Sequence, residues 1–392
     1  MLEIWLIELL KAIGKLFLNP LLYWTFLLVW VASSKRIHHE RMNFGTKIFN
    51  RFSEFKGTWG ISLIIGLVVS LLTIGVGMVF SIETILLLSG VIILLSISFR
   101  FTLLSPSYTI GITFLLLLFA PFLLEYQTYI EVDLFSKVDF TTVAILLGVF
   151  LIVEALLTRR VKRNDTYPSL VRSQRGNWIG QHQFKKLHLI PFFVILPVGE
   201  ITSFAAYWPY FSLGEQTYSF ILVPFVIGFD YKVRGILPEI AAKKVSKGIF
   251  YLGFIVLLIA AGSIYISWLS LVAVIFAILG KEYINYLQRI EDRDRSAYYN
   301  KVAEGLKVLA VIPNTPADRL NILAGEVIVK VNDKKIYSIK EFYLALQNSG
   351  AFFKLEILDD NNEVRFVQSA LYEEDHHELG IIFPQEPHRQ NK

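Results

Sequence analysis

Long apolar runs, separated by short polar segments, fill the first 280 residues of the chain. A helix needs about 20 mainly apolar residues to cross a hydrocarbon core roughly 30 Å thick. By that criterion the pattern predicts membrane-spanning helices at 17–33, 60–81, 83–99, 108–125, 139–157, 188–212, 217–231, 249–264 and 266–280. We therefore expect a polytopic α-helical membrane domain over 1–280 with about eight or nine helices.

The last two runs lie so close together that they form one apolar stretch, 249–280. A single overlong helix and a tight hairpin turning near Gly262 to Ser267 are both compatible with its length. Basic residues flank the stretch at both ends, and lysine and arginine prefer the cytoplasmic side of a membrane. Both ends then lie on the same side, which favours the hairpin.

Residues 2–18 combine charged side chains with leucine, isoleucine and tryptophan at roughly helical spacing, and Asn19–Pro20 interrupts the pattern. Such a segment is either an amphipathic helix at the membrane surface or the first half of a hairpin. We favour the surface helix. A cleaved signal peptide is not expected, because no basic start precedes the apolar run and no small-residue cleavage site follows it.

The polar segments between the runs alternate in charge. Segment 34–57 has six Lys/Arg and two acids, 158–187 has eight Lys/Arg and one acid, and 230–247 has five Lys/Arg. Segment 125–139 has four acids and one lysine. Because basic loops stay on the cytoplasmic side, we expect the three basic segments and the C-terminal domain inside the cell, and 125–139 outside.

Composition separates the chain into two parts. Of all residues, 54% are hydrophobic and 18% are charged, whereas a soluble protein has about 25% charged residues. Residues 281–392 carry 15 Lys/Arg and 18 Asp/Glu, as an ordinary soluble domain does. The absence of cysteine excludes a disulfide scaffold, a thiol nucleophile and thiolate metal sites. No cofactor or metal is predicted, and the basic loops indicate membrane topology rather than nucleic acid.

Charged residues inside an apolar run are expensive, so each one is a candidate functional group. Glu200 is the strongest candidate, because Pro197 and Gly199 would loosen a helix beside it, as in the ion sites of many transporters. The simpler interpretation is a carboxylate hydrogen-bonded within the helical bundle or lying near an interface. Arg100 and Glu154 fall at the ends of predicted helices, where we expect them to reach the interface.

After residue 300 the pattern changes to short apolar runs separated by turn residues, which is typical of a small α+β domain. We assign 281–299 as a linker, 300–385 as this domain and 386–392 as a tail. The predicted elements are a strand at 307–312, a short helix after Thr315–Pro316, a strand at 327–331, a helix from Ser338 to about Gln347, a hairpin of 352–358 with 363–369, and a last strand at 379–383.

Two strings in this domain, Val311–Ala317 and Leu323–Asn332, resemble bacterial PDZ domains. The sequence departs from the family pattern at Asn314, Glu326 and Asp333. The resemblance covers about 80 residues and implies a PDZ fold. It also implies recognition of an extended peptide, which adds as a strand beside a helix while backbone N–H groups hold its carboxylate.

The resemblance places the peptide groove at the last strand of the domain, in a permuted arrangement. Residues 379–383 fit the family's carboxylate-binding loop and the strand after it, and the helix over 338–347 supplies the other wall. The candidate peptide-binding residues are Leu379, Gly380, Ile381, Ile382, Phe383, Phe342, Tyr343 and Leu346. The alternative is that these side chains are core, which is the simpler interpretation of Phe342 and Leu346.

Some membrane proteins with a PDZ domain are intramembrane proteases, so the sequence must be searched for catalytic residues. A zinc protease needs two histidines four residues apart with a glutamate base. The strings His38–Glu40 and His376–Glu378 each contain a histidine before the glutamate, but no histidine follows at the required spacing. The predicted spans also lack paired aspartates and a serine–histidine dyad. No glycine-rich phosphate loop is present. We therefore predict that the protein is not an enzyme, and a PDZ-regulated intramembrane protease is disfavoured.

Many apolar runs, the basic segment 158–187 and one C-terminal PDZ domain together resemble the MinJ-like division-site proteins of Firmicutes, as does the string Ser105–Gly111. This resemblance covers the whole chain. It implies a scaffold in the cell membrane, enriched at the septum and poles, that links the polar protein DivIVA to the MinCD division inhibitor and contacts late division proteins. The lipid bilayer is a further partner, and a homo-oligomer is compatible with the pattern. The runner-up function is a membrane transporter centred on Glu200.

Overall fold

The computed structural model describes residues 2–124, 138–173, 175–203, 205, 207–213, 217–349, 352–370 and 379–389. Its helices are Leu2–Leu16 (α1), Pro20–Phe44 (α2), Trp59–Val76 (α3), Ile82–Ser96 (α4), Pro106–Leu124 (α5), Phe140–Thr158 (α6), Pro238–Gly262 (α7), Leu269–Asp294 (α8), Pro316–Arg319 (α9) and Ile339–Gln347 (α10). Its strands are Tyr167–Arg172 (β1), Trp178–Thr202 (β2), Thr217–Val233 (β3), Leu306–Lys307 (β4), Ala310–Val311 (β5), Val327–Val331 (β6), Lys334–Lys335 (β7), Phe352–Leu358 (β8), Val364–Ala370 (β9) and Ile381–Ile382 (β10).

Several helices of the N-terminal part are apolar. Within the described ranges, α3, α6, α7 and α8 are each long and apolar enough to cross a membrane. Helices α1 and α2 meet at a bend of 42° and pass the same test only as a pair, whereas α4 and the described part of α5 are shorter. A helical part with several apolar helices, followed by a β-rich C-terminal part, confirms the predicted fold class.

The apolar stretch 249–280 is a helical hairpin, as predicted. Helix α7 ends at Gly262 and α8 begins at Leu269, so the chain turns where the sequence indicated. At the N-terminus the predicted helix is present as α1, and Asn19 caps the start of α2 through its side chain. The acidic segment predicted to face outward lies outside the described residues over 125–137, and Asp139 caps α6.

Two segments predicted as membrane-spanning helices, 188–212 and 217–231, form strands over 188–202 and 217–231 instead. Strands β2 and β3 pair antiparallel along most of their length, and β1 pairs with the other edge of β2. A continuous apolar run lacks the periodicity that separates a buried strand from a buried helix. Pro191 and Pro224 lie directly opposite each other in the hairpin, at positions where a helix would lose a hydrogen bond.

Helix α3 covers the edge of β2 that β1 leaves uncovered. The backbone N–H of Phe193 donates to Ser70 Oγ at 2.9 Å, and Thr73 Oγ1 donates to the Phe193 carbonyl at 2.6 Å. Gly66 allows close approach, since a Cβ there would lie 2.1 Å from the Pro191 carbonyl oxygen. An apolar environment requires every backbone group to find a partner within the protein, and the small and polar face of α3 provides partners.

In its described residues the C-terminal domain contains two sheets and two helices. Strands β4, β6, β8 and β9 follow one another in one sheet, in which β7 also pairs with β6, and β5 pairs with β10 separately. Ser338 Oγ accepts from the Glu341 N–H at 3.3 Å, and Glu341 Oε2 accepts from the Tyr337 N–H at 2.9 Å. This capping box starts α10 as predicted, and the hairpin predicted over 352–369 is confirmed as β8 and β9.

Candidate functional site

The predicted peptide groove is built around β10. This strand pairs antiparallel with β5. On that edge the carbonyls of Gly380 and Ile382 accept from the N–H groups of Ile312 and Leu309, at 2.8 and 2.7 Å. Because backbone groups alternate between the two edges of a strand, those of Ile381 point to the edge away from β5. That is the edge to which a peptide would be added in a PDZ domain.

Five of the eight candidate residues are buried side chains of one hydrophobic cluster: Leu379, Ile381, Phe383, Phe342 and Leu346. The rings of Phe342 and Phe383 meet edge to face, with centroids 5.3 Å apart. Tyr343 packs against the same cluster. Ile382 points to the opposite side and packs in a second cluster, between the two parts of the chain. The structure therefore brings α10 and the 379–383 segment together, with most of their apolar side chains forming core.

Gly380 holds the turn that leads into β10. Its φ angle of +82° lies in the left-handed region, which glycine adopts without steric cost. A Cβ at this position would lie 2.3 Å from Thr315 Oγ1. The Leu379 carbonyl accepts from the Ala317 N–H at 3.0 Å. A larger residue at position 380 would therefore displace the loop whose backbone N–H groups are predicted to hold the carboxylate of a bound peptide.

The C-terminal domain packs against the β1–β2 hairpin near Gly180. The Gly180 N–H donates to the Tyr299 carbonyl at 2.8 Å, and a Cβ on Gly180 would lie 2.3 Å from Leu309 Cδ1. Asn164 Nδ2 donates to the Ile322 carbonyl at 2.8 Å. The same side chain accepts from the Ala324 N–H at 3.0 Å. These contacts are backbone-specific, so they fix the orientation of the domain.

Charged side chains and the tail extend this interface. Arg163, which is buried, forms a bidentate ion pair with Asp360 of the C-terminal domain and approaches Glu239 Oε1 at 3.6 Å. After β10 the chain returns to α2, where the N–H groups of His388 and Arg389 donate to backbone carbonyls at 2.9 and 3.0 Å. The sequence indicated only a loop and a tail here, because the partners are about 200 residues apart in the ion pair and about 345 residues apart in the tail contacts, and such distances leave no local signal.

His182 is the titratable group at the centre of the interface. Its Nε2 lies 2.8 Å from the Leu309 carbonyl oxygen, and its Nδ1 lies 2.8 Å from Thr166 Oγ1. Burial lowers the pKa of His182 from 6.5 to about 4, because desolvation disfavours the charged imidazolium. The side chain is therefore neutral at pH 7, and Nε2–H donates across the interface.

The structure corrects the expectation for Glu154 and weakens the case for Glu200. Glu154 does not reach an interface: it is fully buried, Lys281 Nζ lies 2.5 Å from its Oε1, and Ser105 Oγ donates to its Oε2 at 2.6 Å. Glu200 lies in an irregular stretch of β2 near the end of the ribbon. Its side chain is 69% exposed and 3.7 Å from Lys11.

Metal chemistry finds no support in the part of the chain that the structure covers. There, no three His, Asp or Glu side chains are placed to hold a metal ion. In the string His38–Glu40 the glutamate is engaged with Arg36. The string His376–Glu378 lies outside the described residues.

The fold combines apolar helices long enough to cross a membrane with a small C-terminal domain in which β10 packs beside α10, as expected for a membrane protein that carries a PDZ domain. A PDZ domain family model matches residues 307–357. The cell division topological determinant MinJ of Bacillus subtilis (strain 168) is 35% identical over 384 residues, covering 97% of this chain and 96% of that protein. A probable cell division topological determinant MinJ of Lacticaseibacillus paracasei is 22% identical, covering 96% and 99%. The chain belongs to the MinJ family.

Proposed function

We propose that the protein is a membrane-anchored scaffold of cell division, which positions division proteins and has no catalytic role of its own. The observation that carries this proposal is the 35% identity, over nearly the full length of both chains, to a protein named a cell division topological determinant. As the family resemblance implies, the scaffold bridges DivIVA to MinCD at the septum and poles. The PDZ domain can recruit such proteins, since a PDZ domain binds peptides without catalysing a reaction.

The β10–α10 groove is the proposed recruitment site. A partner peptide would add to the edge of β10 away from β5, with Ile381 offering backbone groups and Gly380 forming the carboxylate-binding turn. Leu379, Phe342 and Leu346 would form the floor beneath the last side chain of the peptide. In the structure these three side chains are buried in the hydrophobic cluster of the domain.

The arrangement of the basic segments supports a cytoplasmic C-terminal domain. Segments 34–57, 158–187 and 230–247 all contact residues that follow α8: Asn43 binds the tail, Asn164 binds the domain, and the Arg234 carbonyl accepts from the Tyr298 N–H at 2.8 Å. All three segments therefore lie on the same side as the PDZ domain. Basic segments favour the cytoplasm.

The transporter alternative is less well supported. Glu200 is largely exposed and lies in a strand, so no broken helix surrounds it. The buried carboxylate, Glu154, is already compensated by Lys281 and Ser105.

The groove is tested by Gly380→Asp in a fluorescent fusion expressed in cells that lack the native gene. The added side chain collides with Thr315 and places a negative charge where a carboxylate should bind, so recruitment of division proteins to the septum should fail while membrane insertion persists. Gly57→Asp is the matched control, because Gly57 also has a positive φ (+74°) but no atom within 4 Å of an added Cβ. Normal recruitment by Gly380→Asp would place the binding site elsewhere.

A further inference from the structure

A large cavity lies where the C-terminal domain meets the rest of the chain. It has a volume of about 710 Å³, and four parts of the protein line it: the turn between β1 and β2, Arg234 after β3, the end of α8 with the segment that follows it, and residues 384–386 after β10. The cavity is composite, since no single part encloses it. Its shape therefore depends on docking of the PDZ domain.

The lining of this cavity is strongly basic. Six cationic side chains face it: Arg172, Arg175, Arg234, Arg293, Arg295 and Lys301. Glu386 is the one carboxylate among the lining residues that the structure describes. The nearby carboxylate of Asp292 is occupied by the N–H groups of Arg234 and Gly235, at 2.9 to 3.1 Å.

Most of these cations have no internal counter-charge. Across the described ranges, none of Arg172, Arg175, Arg293, Arg295 and Lys301 forms an ion pair. Like charges in one concave surface repel each other and focus a positive potential there. An anionic ligand would relieve that repulsion, and arginine binds carboxylates through paired N–H groups.

One wall of the cavity also offers an apolar surface. Trp178 is half-buried in the lining, and the Arg172 guanidinium lies 5.1 Å from its ring centroid. A flat aromatic side chain next to arginines suits a peptide, whose backbone and apolar side chains can pack on the ring while its carboxylates meet the guanidinium groups.

The cavity lies beyond the reach of lipid headgroups. The apolar part of α8 ends at Gly280, and Arg293 follows 13 residues later. At 1.5 Å per residue this places Arg293 about 20 Å further along the helix axis, whereas the headgroup layer adds only about 5 to 8 Å on each side of the hydrocarbon core. The exposed tyrosines Tyr283 and Tyr286 mark the level of the interface, where aromatic residues are enriched.

We propose that this basic cavity binds an acidic segment of a cytoplasmic protein partner, separately from the PDZ groove. The proposal rests on the scaffold function proposed above and gives the scaffold a second recruitment surface. Because the membrane region and the PDZ domain both line the cavity, the acidic segment binds the docked arrangement and stabilises it.

The test uses the purified full-length chain in phosphatidylcholine nanodiscs and a fluorescein-labelled peptide of alternating Glu and Gly, with alternating Gln and Gly as the uncharged probe. Fluorescence anisotropy should show binding of the Glu peptide alone, weakening as salt is raised. The double variant Arg172→Glu/Arg175→Glu should bind roughly tenfold or more weakly, because it reverses two exposed lining charges. Glu386→Lys should bind more tightly.

The matched control is Lys334→Glu/Lys335→Glu, which makes the same change of net charge on exposed β7 residues. An equal loss of affinity in this control, or equal binding of both peptides, would overturn the proposal. Nanodiscs containing phosphatidylglycerol test whether the cavity binds anionic lipid instead. If this lipid competes with the peptide, and the competition depends on Arg172 and Arg175, the cavity is a lipid site and the proposal is overturned. If the unaltered chain fails to bind the peptide but is enriched at septa, only the cavity proposal is wrong. If the unaltered chain is not enriched at septa, the proposed scaffold function is wrong.

Discussion

Breaking the buried pair of Glu154 and Lys281 should strongly destabilise the membrane region. Both side chains are at most 1% exposed, and Ser105 donates to the same carboxylate. Replacing Lys281 by Met leaves the carboxylate buried without its counter-charge. Breaking a buried pair in this way costs about 3 to 5 kcal/mol.

The double variant separates the charge effect from packing. Glu154→Gln combined with Lys281→Met removes both charges and keeps similar volumes, so we expect it to be about 2 kcal/mol or more stable than Lys281→Met alone. Lys11→Met is the matched control, since Lys11 pairs with Glu8 and Glu200 while 47% exposed. Exposed pairs contribute little to stability, because solvent screens their charges.

Unfolding of the chain in mixed detergent micelles, followed by tryptophan fluorescence, measures these differences. Unfolding of Lys281→Met at the same denaturant concentration as the unaltered chain would refute the predicted cost of the unpaired charge. A double variant that is no more stable than the single one would refute it as well, because the cost would then come from packing rather than from an unpaired charge.

Three further predictions concern the interface and the ribbon. The pKa of His182 is lowered from 6.5 to about 4, so the unfolded chain binds the proton more readily than the folded chain. The free energy of unfolding should therefore fall by about 3 kcal/mol as pH drops from above 6.5 to below about 4. A His182→Gln variant titrated alongside should lack that part of the pH dependence. Gly180→Val should expose the 296–300 segment to limited proteolysis, whereas Gly14→Val, with no neighbour within 4 Å, should leave it protected. Ser70→Ala should cost about 1 to 3 kcal/mol by leaving the Phe193 N–H unpaired, and unchanged denaturation would refute the role given to α3.

Helix hydropathy and turn chemistry were the parts of this fold that the sequence could predict. A run such as 140–158 is long and apolar enough to be a membrane helix on its own terms. The order of turn residues from Thr315 to Asp333 identified the PDZ domain, because each turn demands a particular backbone conformation. Asn332 and Asp333 have positive φ angles, as their place in a hairpin turn requires.

The ribbon and the interface could not be predicted in the same way. Residues 188–212 are mostly apolar. The partner that satisfies the strand edge is a helix more than 100 residues away, so length alone favoured a span. Prolines 191 and 224 were the available signal. Glu154 was misplaced for a related reason: its distance from water depends on Lys281, 127 residues further along the chain, and no local pattern shows that contact.

The proposed function of this chain is to position division proteins in the membrane. Imaging of a fluorescent fusion in dividing cells tests it most directly, with the full chain compared with one ending after Arg295. We expect enrichment of the full chain at septa, minicells or filaments when the gene is deleted, and loss of partner recruitment in the truncated chain. A uniform membrane signal together with normal division in the deletion strain would contradict it.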